Sequence, residues 1–233
     1  MTDERIGREF YDQSDYFEEG TAHLVDLKSP FQRYRVDKVL QLYEPGREER
    51  VLDLGCGWGT FCWALAHRVG EMVGLDFSQK SIDLCEARLS ESAVRNVSFL
   101  CADARATGLD AESFHLIIAA DLMEHLYPEE SQAVVAEAFR LLRSGGRLSV
   151  WTPHRGHFLE MLKARNIFIK RDISHVDYKS MARMKEMLTQ VGFLVEKAYY
   201  TESHVPVLST IERALLPRLP LIRRRIGILG RKP

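Results

Sequence analysis

Apolar and polar positions along the chain fall into blocks that switch between two periods. RVLDL (50–54) is a short apolar run of strand character, and TFCWALAHRV (60–69) then spaces its apolar residues as a helix does. EMVGLD (71–76) reads as a second strand. It is followed by SQKSIDLCEARLSES (78–92), a helix with Ser78 in the N-cap position. VSFLCAD (97–103) and FHLIIAA (114–120) predict the third and fourth strands, the latter apolar enough to be buried on both faces. PEESQAVVAEAFRLLR (128–143) predicts a helix with proline and acids in its first turn and arginines in its last, stopped by the SGG that follows. RLSVWT (147–152) is the fifth strand, and a helix over about 178–191 ends at Gly192. FLVEKAYY (193–200) and RIGILG (225–230) complete seven strands. Strands separated by helices imply a doubly wound, mostly parallel sheet with helices on both faces.

The alternation runs without a linker from residue 36 to residue 233, which predicts a single domain. Residues 1–35 lack clear periodicity but carry the aromatics and arginines of FYDQSDYF and SPFQRYR, and are expected to form a cap over the active site. Between the sixth and seventh strands, 204–225 is an insertion. A short helix there gathers Val207, Leu208, Ile211, Leu215 and Leu216 on one side and must stop near Pro217.

Composition narrows the function classes. Net charge is −1, with 45% hydrophobic and 28% charged residues, and no basic excess of the kind a nucleic-acid binder carries. The charged N-terminus MTDERIGREF is unlike a secretory leader, and no apolar run reaches the roughly 18 residues of a membrane span. Cys56, Cys62, Cys85 and Cys101 include no CxxC pair and suit reduced thiols in a cytoplasmic protein.

The chemistry is expected at the first strand-to-helix turn, because ligands of such sheets bind outside the carboxyl ends of the strands. That turn is DLGCGWGT, with Gly55, Gly57 and Gly59 at alternate positions and Asp53 two residues before them. A dinucleotide fingerprint would need glycine where Thr60 stands. The G-x-G-x-G pattern after an acid instead resembles motif I of the class I S-adenosylmethionine-dependent methyltransferases, whose fold is Rossmann-like.

The resemblance implies that Asp53 and the turn Gly55-Cys56-Gly57 hold the methionine part of the cofactor. It implies that Asp76, with Phe77 beside it, accepts from the ribose hydroxyls, and that Asp103 and Ala104 read the adenine. It places Asp121 beside the cofactor and Arg35, rather than Arg33, on its carboxylate. Two rivals from other classes are an NAD-dependent oxidoreductase, disfavoured by Thr60 and Asp103, and a non-catalytic domain that has kept the fold.

The acceptor is read from the fourth strand onward. Nucleobase amino methyltransferases place a (D/N/S)-P-P-(Y/F/W) motif there, whereas this chain has AADLMEHLYPEE, which favours a small-molecule or lipid-like acceptor. ADLMEHL resembles the ExxEH segment of the ubiquinone-biosynthesis O-methyltransferases, with Asp121 in place of the first glutamate. ISHVDYKSMARMKEMLTQVGF resembles that family's histidine-containing segment. The resemblance implies O-methylation, with N- or C-methylation of a metabolite or lipid head group as the alternative. It also raises a divalent cation such as magnesium held by Asp121, Glu124 and His125, which share a face if the segment is helical.

His125, His154 and His175 are the candidate bases for removing an acceptor proton, with His157 behind them. His23, His67, His115 and His204 have no such context. The insertion joins an apolar side to Arg213, Arg218, Arg223, Arg224 and Arg225, a mixture that suits peripheral contact with an anionic membrane. The alternatives are packing over the sheet edge or a dimer contact.

Overall fold

The apolar run Val51–Leu54 is wholly buried in β1 (Arg50–Leu54), between β2 (Glu71–Asp76) and β4 (Phe114–Ala120). The computed structural model describes residues 5–13, 28–164 and 172–233. Tyr16 and Phe17 of the expected cap, and His23, lie outside them. With β3 (Val97–Cys101), β5 (Leu142–Pro153), β6 (Leu194–Thr201) and β7 (Arg225–Arg231), the strands form one sheet in the order β3-β2-β1-β4-β5-β7-β6. The first five are parallel neighbours, while β7 runs antiparallel to both β5 and β6, so the sheet is mixed.

Alternate residues of β1 serve opposite faces, as the strand period requires. Val51 packs with Val39 of α2 (Pro30–Leu42), Phe61 of α3 (Thr60–Leu65) and Ile82 of α4 (Gln79–Ser90). Leu52 and Leu54 pack in the other core. That core is built with Val134 and Ala138 of α5 (Pro128–Leu141) and with Met184 and Leu188 of α7 (Met181–Val191). A short α1 (Arg8–Gln13) precedes these helices, and α6 (Phe158–Ala164) and α8 (Pro206–Leu215) lie in the connections after β5 and β6.

Three boundaries differ from the sequence pattern, each for a tertiary reason. α3 stops at Leu65 although helical spacing continues to 69. The side chain of Asn96, far along the chain, donates to the carbonyls of Ala66 and Val69 and ends the helix. The SGG after α5 is not a loop but the irregular start of β5. Gly145 takes φ +78°, its amide donates to the Lys232 carbonyl, and the register against β4 shifts between Phe114 and Leu116. α7 begins at Met181 rather than 178, because Ser180 caps it by accepting from the Arg183 amide.

The insertion folds as α8 followed by a 3-10 turn at Pro220–Ile222, and its apolar residues face outward. Val207 is 75% and Ile211 54% exposed, and Leu208 and Leu215 are also exposed, while Leu216 is buried. Its arginines divide. Arg224 pairs with Glu212 and Arg225 with Asp121, both drawn inward, and Arg223 lies over the Tyr200 ring, while Arg213, paired with Glu202, and Arg218 stay exposed. The electrostatic half of the expected membrane surface is therefore reduced but not internal. Among the described residues, no helix is long and apolar enough to cross a membrane.

Candidate cofactor cavity

A cavity of about 540 Å³ opens at the carboxyl ends of β1, β2 and β4. Its volume lies within the roughly 300–1,000 Å³ usual for small-molecule sites. Its floor is the glycine turn. Gly55 and Gly57 take φ +72° and +50°, and Gly59, at φ +74°, starts α3 where a Cβ would lie 2.8 Å from Trp63 Nε1. Only glycine holds this run of left-handed residues without strain.

The structure brings together, on the walls of this cavity, Arg35, Gly55, Cys56, Gly57, Asp76, Phe77, Asp103, Ala104 and Asp121. Asp53 is the exception and corrects the expectation for it. Its side chain lies beneath the turn, 1% exposed, where its Oδ2 accepts from Cys62 Sγ, and burial pushes its carboxyl up to about 7 against the pull of Arg35. It shapes the turn from below and does not face a ligand.

Asp76 accepts from the Gly57 amide at 2.9 Å and the Ser78 amide at 3.0 Å. Burial raises its carboxyl pKa and these amides partly oppose that. Two bonds to the turn leave acceptor sites on the carboxylate for hydroxyls of a ligand. Asp103 is held by Arg105 in a two-pronged contact of 2.9 and 2.6 Å, which keeps its carboxyl below the usual range. Arg105 also reaches Glu130 at 2.7 Å.

Asp121 closes β4 in the left-handed region at φ +55°, its amide donating to the Trp151 carbonyl. Its carboxylate meets Arg35 Nε at 2.8 Å and also Arg225. Burial alone would raise its pKa, but the two guanidiniums outweigh burial and hold it low. Arg35 is buried, whereas Arg33 is exposed.

The histidines separate. His125 borders the cavity from a 3-10 turn, Met123–His125. Its Nδ1 lies 3.1 Å from the Ser174 carbonyl and 3.1 Å from the Tyr11 hydroxyl. A carbonyl only accepts, so the proton sits on Nδ1 and Nε2 is the basic nitrogen. Burial, then the neighbouring His175, push its pKa down to about 4, so it is neutral but a weak base. His175 stands behind it, rings 4.8 Å apart, its Nδ1 2.8 Å from the Tyr178 hydroxyl. His154 is not at the cavity. It is buried against Tyr200, its Nδ1 donates to the Arg223 carbonyl at 3.1 Å, and burial lowers its pKa, which is the bonding of a structural histidine.

The expected ion site of Asp121, Glu124 and His125 does not assemble, because Asp121 is turned to the two arginines. The ligand atoms that do converge, within 4.8 Å, belong to Glu124, His125 and His175. Glu124 is 1% exposed and accepts from the Thr152 hydroxyl at 3.0 Å. Burial, and then the Asp121 charge, push its carboxyl up to about 8.

Several lining residues carried no signal in the sequence. α1 crosses the cavity with Ile6, Gly7, Arg8 and Tyr11. It is fastened by Arg8 to the Phe77 carbonyl, by Asp12 accepting from Ser78 Oγ at 2.8 Å, and by Tyr11 packed on Phe77. The aromatics of this segment were the one available hint. Arg105 and Arg225 looked like ordinary surface arginines.

Comparison with known proteins agrees with this geometry. Residues 51–146 match the family described as "Methyltransferase domain". The chain is 30% identical over 132 residues to aklanonic acid methyltransferase DauC of Streptomyces sp., covering 55% of this chain and 57% of that protein. It is 27% identical over 142 residues to a ubiquinone biosynthesis O-methyltransferase of Coxiella burnetii, covering 60% and 59%. The chain thus spans less than two thirds of the length of these curated relatives. In fold it is similar to Haemonchus contortus phosphoethanolamine N-methyltransferase 2, solved with S-adenosyl-L-methionine. The TM-score is 0.74 at 16% identity, over 97% of this chain and 60% of that one. The glycine turn, the strand order and the match over 51–146 together make the chain similar, in sequence and fold, to the class I S-adenosylmethionine-dependent methyltransferases.

Proposed function

We propose that the protein transfers a methyl group from S-adenosylmethionine to an oxygen of a small-molecule or lipid-like acceptor. The observation that carries this reading is that the glycine turn and the acids ending β2 and β3 all line one cavity. The cofactor would supply an electrophilic methyl on a sulfonium. Within the cavity, Gly55 and Gly57 leave room against the backbone, Asp76 offers its outer lone pairs to hydroxyls, and Arg35 offers a guanidinium to a carboxylate. Tyr11, with the cap of residues 5–13, excludes water from the far side. Displacement at a methyl group is catalysed largely by positioning two bound reactants, which suits a rigid floor under a fastened cap.

The relatives divide over the atom methylated, an O-methyltransferase by name in one case and an N-methyltransferase in another. Oxygen is favoured here by the likeness of the segment 120–126 to that of the ubiquinone-biosynthesis O-methyltransferases. A divalent ion has no part in this reading, since Asp121 is ion-paired to Arg35 and Arg225 and the expected trio of ligands does not assemble. Membrane contact through 204–225 would rest on the outward apolar side of α8 rather than on its arginines.

The direct test is calorimetric titration with S-adenosylhomocysteine. Micromolar binding that Asp76→Ala abolishes is the expected result, and no binding at millimolar ligand would reject the reading.

A further inference from the structure

Asp121 stands between two guanidiniums, one from α2 and one from β7. Arg35 brings Nε to 2.8 Å from Oδ2, and Arg225, the first residue of β7, donates through Nη1 to Oδ1. The two contacts differ in kind. The Arg225 N–H is aimed at its oxygen, whereas Arg35 Nε, although close, is buried and makes no hydrogen bond among the described residues. Arg35 Nη1 donates to Gln32 Oε1 at 2.7 Å, and among the described residues Nη2 donates to no group. Asp121 and Arg35 both line the cofactor cavity, and Arg225 does not. The carboxylate is thus hydrogen-bonded from β7, which leaves Arg35 with donors to spare at the cavity.

A carboxylate and a guanidinium left to themselves prefer a two-pronged fork, each oxygen taking one N–H. With Oδ1 free, Asp121 could take Arg35 in this way and turn its donors from the cavity. Oδ1 is not free because Arg225 holds it, and Arg225 is itself fixed. Its backbone is laddered between Pro153 of β5 and Thr201 of β6, and its guanidinium lies 4.0 Å over the Trp151 ring. Asp121 is held as well, by its amide on the Trp151 carbonyl and by its left-handed backbone at φ +55°.

We propose, resting on the methyltransferase reading above, that Arg225 is a positioning residue for the cofactor. By occupying one oxygen of Asp121 it prevents a fork between Asp121 and Arg35, and so leaves the Arg35 guanidinium to the carboxylate of the cofactor's methionine part. Its effect passes through Asp121, since it does not itself reach the cavity. A residue that merely braced the sheet would alter the binding of every ligand of this cavity alike. A residue that positions Arg35 alters only ligands that carry the carboxylate.

The test compares two ligands on the whole protein by calorimetry: S-adenosylhomocysteine, and its decarboxylated form, which keeps the adenosine and the amine. Arg225→Gln should weaken the first at least about tenfold and leave the second within about twofold. Arg225→Lys, which keeps a charged donor for Oδ1, should recover part of that loss. In an Asp121→Asn background the Arg225→Gln change should be silent, because a neutral amide competes only weakly for Arg35. If Arg225→Gln alone does not fold, Arg225→Lys carries the comparison, as a smaller loss confined to S-adenosylhomocysteine. Equal weakening of both ligands, undiminished binding of S-adenosylhomocysteine, or the same loss in the Asp121→Asn background would overturn the proposal. None of these outcomes touches the methyltransferase reading. That reading fails if the unaltered protein binds no S-adenosylhomocysteine, and the role of Arg225 would then fail with it.

Discussion

Glu124 makes stability fall as pH rises, the opposite of an ion-paired acid such as Asp121. The carboxyl is 1% exposed, and burial followed by the Asp121 charge raises it from 4.5 to about 8. Between those values the folded protein keeps a proton that the unfolded chain has released, so stability falls as pH rises. The limiting slope is about 1.4 kcal/mol per pH unit. His125 acts in the opposite sense, because its folded pKa is lowered from 6.5 to about 4, and its contribution is complete above 6.5. Asp53 shares the sign of Glu124 but, at about 7, is already half ionised at neutrality and contributes the smaller part above it. Glu124 therefore dominates the interval just above neutrality, where roughly 1 kcal/mol should be lost from pH 7 to pH 8.

Glu124→Gln keeps an oxygen to accept from Thr152 and cannot ionise. Urea unfolding of both proteins between about pH 6 and about pH 9, at constant m-value, gives the difference curve, in which every group the two proteins share cancels. The gap should widen in favour of glutamine up to about pH 8 and then level off. Parallel curves would show that Glu124 is already ionised in the folded protein, and the case for its holding a proton would fail.

Asp76→Ala removes two charge-assisted contacts expected to the cofactor, each worth about 1.5–3 kcal/mol, so affinity for S-adenosylhomocysteine should fall about 10²- to 10⁴-fold. A dissociation constant within about threefold of wild type would mean that Asp76 only braces the turn. Gly74→Ala places a Cβ 2.7 Å from the Phe99 ring and 2.8 Å from Cys62 Sγ. It should cost about 1–3 kcal/mol of stability, and an unchanged melting temperature would refute the packing described. Turnover should be insensitive to excess chelator, and a loss restored by magnesium would reinstate an ion at Glu124, His125 and His175. Co-sedimentation with anionic vesicles, if it occurs, should be abolished by Val207→Glu with Ile211→Glu and be only mildly salt-dependent. Strong salt dependence would mean that Arg224 and Arg225 are not internally paired as found.

Much of this protein follows from local pattern. The switch between periods of two and 3.6 marked all seven strands and helices α3, α4, α5 and α7, but not α2, whose first residues fall in the expected cap. The alternate glycines marked the cofactor turn, because a missing Cβ is a property of the residue and not of its surroundings. Acids at strand ends were legible for the same reason: Asp76 and Asp103 follow apolar runs that can only enter a sheet one way, so their position at the cavity rim is inherited from the strand.

What the sequence left open depends on which distant groups come to share one buried space. Asp121 and Arg225 are 104 positions apart and meet only because β7 enters between β5 and β6. That contact turns an expected metal ligand into the partner of two guanidiniums. Tyr11 reaches His125 across 114 positions. Asp53 reads like the other acids, yet it lies inside β1, where strand alternation buries it against Cys62 of α3. Two of the insertion's arginines, Arg224 and Arg225, are drawn inward by Glu212 and Asp121. Periodicity is set by neighbours along the chain, but the pairing of charges is set by the cost of burying one alone, and that cost exists only once the strands have been ordered and water removed.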